Sequence, residues 1–358
     1  MTQPAGALAA HPESQGTPAP DADPIELSRL DASGARASPS TEPEPGRVSA
    51  SAPGPVSAQG PAERWNQPRV NIGRLAFAYY SFIIAGMNEA AVGLEHHYKG
   101  RSNVDVSWFF LTPAVGYLAA ALANAPIHRQ LGHRGVAVGG PFFHLATFAC
   151  FAYKGAQLPA PAVIAINALS GFGNGLTEAC FNAWVAGMDK AGIVQGLMYS
   201  CYSLGAFFSS LAVAFMVVEV DKAWLNYYYV VSGMALIELF GLTVVFWNKD
   251  GPGYRAEHAH EGGTRKALRS VVTWLCALFL FVCMAAEAGL GGWVVTFRLD
   301  VSSASPLAPA IANSSMWATM ALGRALFGVA TRGFEGRRRL TICLATCLAI
   351  CVGFELLF

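Results

Sequence analysis

The stretch GFGNGLTEACFNAW, Gly171 to Trp184, decides how this chain is read. It sits in an apolar run, 162–182, yet carries Asn174, Glu178 and Asn182. A membrane helix needs about 20 apolar residues, and residues spaced i, i+4, i+8 project from one of its faces. An ionised carboxylate turned toward lipid costs roughly 2.5–3.5 kcal/mol on insertion scales. The polar face is therefore expected to look into a helix bundle or a wet cavity. Gly171 and Gly175 add a small-xxx-small pair on which another helix can close. Glu178 then either ties neighbouring helices together or meets a solute or proton in the cavity, and the cavity is the favoured reading.

Working outward, nine runs of membrane length follow one another: 75–94, 107–124, 135–152, 162–182, 193–218, 223–247, 271–297, 312–331 and 340–358. Runs this long and unbroken are helices, because membrane barrel strands alternate and are about half as long. The chain is 53% hydrophobic and only 13% charged, where soluble domains carry about a quarter charged residues. Composition and runs together read as an all-α membrane protein. A net charge of +1 gives no reason to expect nucleic acid. The eight cysteines fall in apolar runs and read as small buried hydrophobes, not a disulfide framework. Cys343, Cys347 and Cys351 share one helix face at a spacing a soft metal accepts, but no metal or cofactor is expected.

Residues 1–66 differ: rich in Pro, Ala, Ser and Gly with no apolar period, they read as a disordered tail. The tail lacks the basic start and apolar core of a secretory signal, so it is expected to stay cytosolic. Loop charges agree. Arg129, Arg134, Lys190, Lys249, Arg255, Arg265, Lys266, Arg269, Arg332, Arg337, Arg338 and Arg339 would lie inside, against Lys99, Arg101, Lys154, Lys222 and Arg298 outside. The sequon at Asn313 would then occupy an outer loop as a glycosylation candidate.

The segment 248–270 reads as a central cytosolic linker between a six-helix half, 67–247, and a second half, 271–358. An internal repeat supports the division. GMNEAAVG, Gly86–Gly93, lies over MAAEAGLG, Met284–Gly291, so Glu89 matches Glu287. LGHRGVAV and EGRRRLTI repeat the basic loop after each half's second helix. The second half reads as three helices, an incomplete copy.

Asn88 and Glu89 in the first span and Glu287 in the seventh join Glu178 as membrane acids and amides, residues that mark proton relays and substrate paths. Carboxyl groups in apolar surroundings favour their neutral form, which suits proton uptake. Glu287 has an equally good structural reading as the partner of Arg324. Gln195, Tyr199 and Tyr202 make a semi-polar stripe suited to a hydroxylated solute or to ordinary interhelical bonds, and Trp293 either stacks on a ring or fills the gap left by neighbouring glycines. His128 and His133 have the spacing of a desaturase box, but the topology puts His96 and His97 on the other side, so an enzyme is not expected. No strand or lysine accompanies the glycines of Gly171–Gly175, which argues against a nucleotide loop.

GMNEAAVG, FFLTPAVGYLAAAL, IHRQLGHRGVA, GFGNGLTEACFNAWVAGM and AAEAGLGGWVVTF together resemble fungal major facilitator superfamily transporters, closest to the branch related to fucose–proton symporters. The resemblance runs from about Arg74 to Phe358. It implies two six-helix halves around a central cavity, alternating access, and acidic residues of the first and fourth helices serving proton coupling. Those roles would fall to Glu89 and Glu178. The substrate cavity would be lined by Asn88, Asn174, Asn182, Gln195, Tyr199, Glu287 and Trp293, with Arg129, Arg134, Arg337 and Arg338 in the cytosolic gating loops. The family's loop signature G-x3-D-R-x-G-R-R is eroded, with Arg129 and Gly333 where its Asp would stand. Measured against the family, helices ten to twelve are missing. The expectation is a plasma-membrane transporter of a small polar solute such as a sugar, coupled to protons, with a vacuolar or other internal membrane as the alternative site. An exporter of drugs or secondary metabolites, or an inactive or regulatory fragment, is the competing reading.

Overall fold

In lipid a backbone finds hydrogen-bond partners only within its own segment or a closed barrel, and this chain takes the helical solution. A computed structural model describes residues 63–99, 103–154, 157–218, 226–257, 267–301 and 308–357. The helices are α1 (Val70–Lys99), α2 (Asn103–Lys154), α3 (Ala160–Ala186), α4 (Ala191–Val218), α5 (Asn226–Val245), the short α6 (Gly251–Glu257), α7 (Val271–Val301), α8 (Ala308–Ala330) and α9 (Gly336–Leu357). The β structure among the described residues amounts to isolated bridges, Glu63 with Met188 and Arg64 with Gln67.

α1 packs against α4 and α5, and α2 packs along α3, α5 and α6. α4 also packs against α8, while α7 touches α8 and α1. The helix-to-helix distances are set by small residues. A side chain at Gly171 would collide with the Pro113 backbone, and one at Gly116 with the carbonyl of Ala168. Gly86 and Gly205 allow the same close crossing of α1 over α4. The small-xxx-small reading of Gly171 and Gly175 thus holds, with the first arm of α2 as the partner. Phe82, Leu176, Phe181, Met198, Leu242 and Phe246 are among the buried residues of the core this creates.

Several boundaries differ from the sequence reading. The loop expected between the second and third spans is helical, and α2 runs on to Gly132, where φ 70° and ψ −167° break it into two arms, 103–131 and 133–154. Glycine adopts that left-handed φ without strain. Asn313 falls inside α8, not in a loop. Residues 63–66, assigned to the tail, lie against the α3–α4 turn: Trp65 N–H donates to Asp189 at 2.8 Å. The linker is partly helical and folds back on the α2 kink. Five helical stretches among the described residues are long and apolar enough to cross a membrane: Val70–Glu89, Leu111–Tyr153, Ala191–Met216, Asn226–Val245 and Val271–Gly291. Leu111–Tyr153 is 43 residues, about two crossings. α3 is absent from that set because its amides and carboxylate dilute its apolar character. Along Val271–Val282 the large apolar side chains of α7 are exposed, which suits a lipid neighbour.

Candidate functional site

The polar face read from Gly171–Trp184 meets other helices, as its spacing demands. Glu178, half-buried on α3, accepts a hydrogen bond from the Tyr117 hydroxyl of α2 at 2.9 Å. One turn away Asn174 is buried, and its Oδ1 has no hydrogen-bond partner among the described residues. Asn182 donates to the Tyr199 hydroxyl of α4 at 2.9 Å, and Gln195 donates to the Asn182 carbonyl at 3.4 Å. The semi-polar stripe of α4 is thus tied to α3.

Glu89 of α1 accepts a hydrogen bond from the Tyr202 hydroxyl. Beside it, Asn88 is buried and donates to Ser170 Oγ at 2.9 Å. The chain's second half contributes an ion pair: Arg324 Nη2 of α8 lies 2.5 Å from Glu287 Oε2 of α7. The other Arg324 amine donates to Ser203 Oγ at 2.7 Å, and the guanidinium stands 5.5 Å over the Tyr199 ring. Glu89 lies within electrostatic reach of Glu178, Glu287 and Arg324, and Glu178 within reach of Glu287 and Arg324. Carboxyl groups from α1, α3 and α7 therefore share one neighbourhood with the Arg324 guanidinium and, beside Glu178, His144, and tyrosine hydroxyls of α2 and α4 bond Glu178 and Glu89.

Sequence reasoning missed Tyr117 and Ser203, polar groups in apolar runs with no periodic signal, and considered Arg324 only as a partner of Glu287. It also missed a second buried polar centre. Glu238 of α5 accepts from Ser81 at 2.5 Å and lies 3.1 Å from His144 Nδ1 of the second α2 arm, with both titratable side chains essentially inaccessible. Trp293 lies in α7, but its side chain is outside the described residues.

The four gating-loop arginines have separate local contacts. Arg129 offers its carbonyl to Arg255 of α6 at 2.5 Å. Arg134 holds the end of α5 and the linker, its backbone N–H donating to the Lys249 carbonyl at 2.9 Å and its guanidinium lying 5.1 Å over Trp247. Arg337 is exposed, and Arg338 lies 4.7 Å over Phe334. Arg339, read from the sequence only as one of the inside loop charges, donates to the carbonyls of Phe334 and Arg332. Asn313 is 1% exposed and its amide donates to Ser210 Oγ of α4 at 2.8 Å. The structure thus has a helix–helix tie where the sequence reading placed an outer-loop sequon.

Comparison with known proteins agrees with this architecture. The family model of the Major Facilitator Superfamily matches residues 71–358. The chain belongs to that superfamily and is an integral, multi-pass membrane protein of a transporter family. It is also similar to "Bypass of stop codon protein 6" of Saccharomyces cerevisiae (strain ATCC 204508 / S288c), at 23% identity over 299 residues. That match covers 71% of this chain and 56% of the yeast protein, so the chain spans little more than half the length of this relative.

Proposed function

We propose that the protein is a proton-coupled secondary transporter of a small polar solute, with a sugar as the leading class. The carrying observation is the gathering of carboxyl groups between the helices: Glu89, Glu178 and Glu287, with Arg324 paired to Glu287, and His144, itself bonded to Glu238, as the further basic group near Glu178. Unbalanced carboxylates are costly away from water. Proton binding removes that cost and allows the loaded carrier to reorient. Asn174 Oδ1 and the tyrosine hydroxyls supply acceptors and donors suited to solute hydroxyls. The resemblance to the fucose–proton symporter branch points the same way. Arg129, Arg134 and the linker act as a clasp at the cytosolic mouth in this reading, and the six helical arms of 67–247 form one half of the carrier.

The test uses the full chain in proteoliposomes, a panel of labelled monosaccharides and an imposed pH gradient. The wild type is expected to accumulate at least one sugar when the source side is acidic, with lumenal acidification reported by a pH dye. Glu178→Gln is expected to lose gradient-driven accumulation at least about tenfold while eluting as the same monodisperse species, the scale on which one lost transition-coupled carboxyl acts. Unchanged accumulation by the variant would refute the coupling role. Export of an aromatic drug or metabolite is the second reading, favoured by the ring pairs Phe82–Tyr199 and Tyr202–Trp317 beside the same site. Proton-driven extrusion of a fluorescent aromatic dye, with no sugar uptake, would select it.

A further inference from the structure

On the side of α3 facing away from Glu178, two residues further along the helix, Cys180 meets the histidines flanking the α2 kink. Two residues is about 200° of helix rotation, so the two side chains serve different neighbours. His128, His133 and Cys180 are all buried, at 6%, 7% and 0% exposure, and one ligand atom from each lies within 4.8 Å of the others. We propose that these three residues bind a transition-metal ion of the Zn²⁺ class, a site separate from the carboxyl cluster and independent of the transport reading.

The chemistry of the donors carries the assignment. Two imidazoles and a thiol are the donor set of zinc, whose bonds run about 2.0–2.1 Å to nitrogen and about 2.3 Å to sulfur. A tetrahedron of those bonds sets ligand atoms roughly 3.4–3.7 Å apart. His133 Nδ1 and Cys180 Sγ are already 3.2 Å apart, close to that edge. His128 Nδ1 lies 3.0 Å from the Asn124 carbonyl, the contact by which a ligating histidine fixes its tautomer and keeps the lone pair on Nε2. The two rings meet edge to face, 5.0 Å between centroids, and Tyr254 of α6 packs on both at 5.2 and 5.4 Å. The cluster is therefore roofed by the linker helix. Three protein ligands leave a fourth position for water. Binding converts the Cys180 thiol to a thiolate and releases its proton to solvent, so the ion's two positive charges are met by one negative charge.

The sequence did not show this site. His128 and His133 read as half of a desaturase box whose other half lay across the membrane, and Cys180 read as one more buried hydrophobe. Only the kink at Gly132, which turns both rings toward α3, brings the donors together. A metal here would pin the two arms of α2 to α3 directly beneath the linker clasp.

The experiment uses the full chain, purified without any histidine tag and with thiols reduced. Zn²⁺ is titrated in competition with a chromophoric chelator, and Co²⁺ is added separately to read the thiolate-to-metal charge-transfer band. The expected result is one Zn²⁺ per chain. Binding should weaken at least about 100-fold in His133→Ala, since even outer partners of a ligand are worth 10–100-fold. Cys180→Ser should lose the cobalt charge-transfer band, and both variants should still elute as the same monodisperse species as the wild type. Cys201→Ser, half-buried elsewhere on α4, should leave both readouts unchanged. A folded wild-type chain that takes no Zn²⁺, or variants that bind it as tightly as wild type, would overturn the proposal.

Discussion

At the level of single residues, the most instructive contact is Arg324 with Glu287, because it joins an acid and a base that both stand inside apolar runs of the second half. The pair is only 20% and 14% exposed. Removing one member of such a pair leaves a charge without its partner, which costs roughly 3–5 kcal/mol, whereas removing both together is often neutral. Arg324→Leu and Glu287→Leu alone are therefore each expected to lower thermal stability in detergent, and the double variant to recover most of the loss. A double variant no more stable than the worse single one would show that the pair does not act as a unit. The sequence made this partnership readable, since an arginine and a glutamate in neighbouring apolar runs have few other ways to be accommodated. It also placed Glu178, Asn174 and Asn182 on one face. The pair Glu238–His144 was not legible, because each stands alone in its run and the contact depends on how α5 crosses α2. Tyr117 escaped for the same reason: its hydroxyl matters only once α2 lies on α3.

The helices themselves follow from hydropathy, but their boundaries follow from glycine and from neighbours. Length and apolarity located each described helix that spans the bundle. They did not show that α2 continues through APIHRQL to Gly132, since basic residues at a helix end look like a loop when only polarity is counted. The stop at Gly132 has two causes: its positive φ, and the Lys249–Asp250 backbone, which fills the space a side chain would need. Where two helices touch backbone to backbone the dependence on glycine is sharper still. Gly171→Val puts two methyl groups where the Pro113 backbone lies, and overpacking of that kind costs typically 1–3 kcal/mol. The expected outcome is a clear fall in melting temperature and in the monodisperse fraction. Gly233→Ala on α5 is the control, because nothing lies within 4 Å of the added β-carbon, and it should lower neither. Equal behaviour of the two variants would mean that the α2–α3 crossing does not depend on the small residue at its centre.

Across the whole molecule the seam between α4 and α8 joins the first half to the second. Asn313 donates to Ser210 near one end, Ser200 donates to the Ala321 carbonyl at 2.8 Å in the middle, and Gly196 packs on Gly328 toward the other end. The repeat of GMNEAAVG in MAAEAGLG announced two related halves, but a repeat says nothing about which faces meet, so this seam lay beyond the sequence. If the proposed carrier works by rocking its halves, one end of the seam must part in each cycle. A β-carbon built on Gly196 would lie 3.5 Å from the Gly328 α-carbon, and one built on Gly328 would lie 3.7 Å from the Gly196 α-carbon. That proximity puts thiols at the two positions within reach of each other, with the Arg324 carbonyl, 3.0 Å from a β-carbon on Gly196, giving way by a few tenths of an ångström, so the double variant Gly196→Cys/Gly328→Cys is the one to cross-link here. Oxidation is expected to shift the double variant's mobility under non-reducing conditions and to stop solute flux, with recovery on adding reductant. The single variants should be insensitive to the oxidant. Full flux through a demonstrably cross-linked chain would mean that the seam stays closed throughout the cycle, and the rocking motion would then have to be abandoned for a movement within one half.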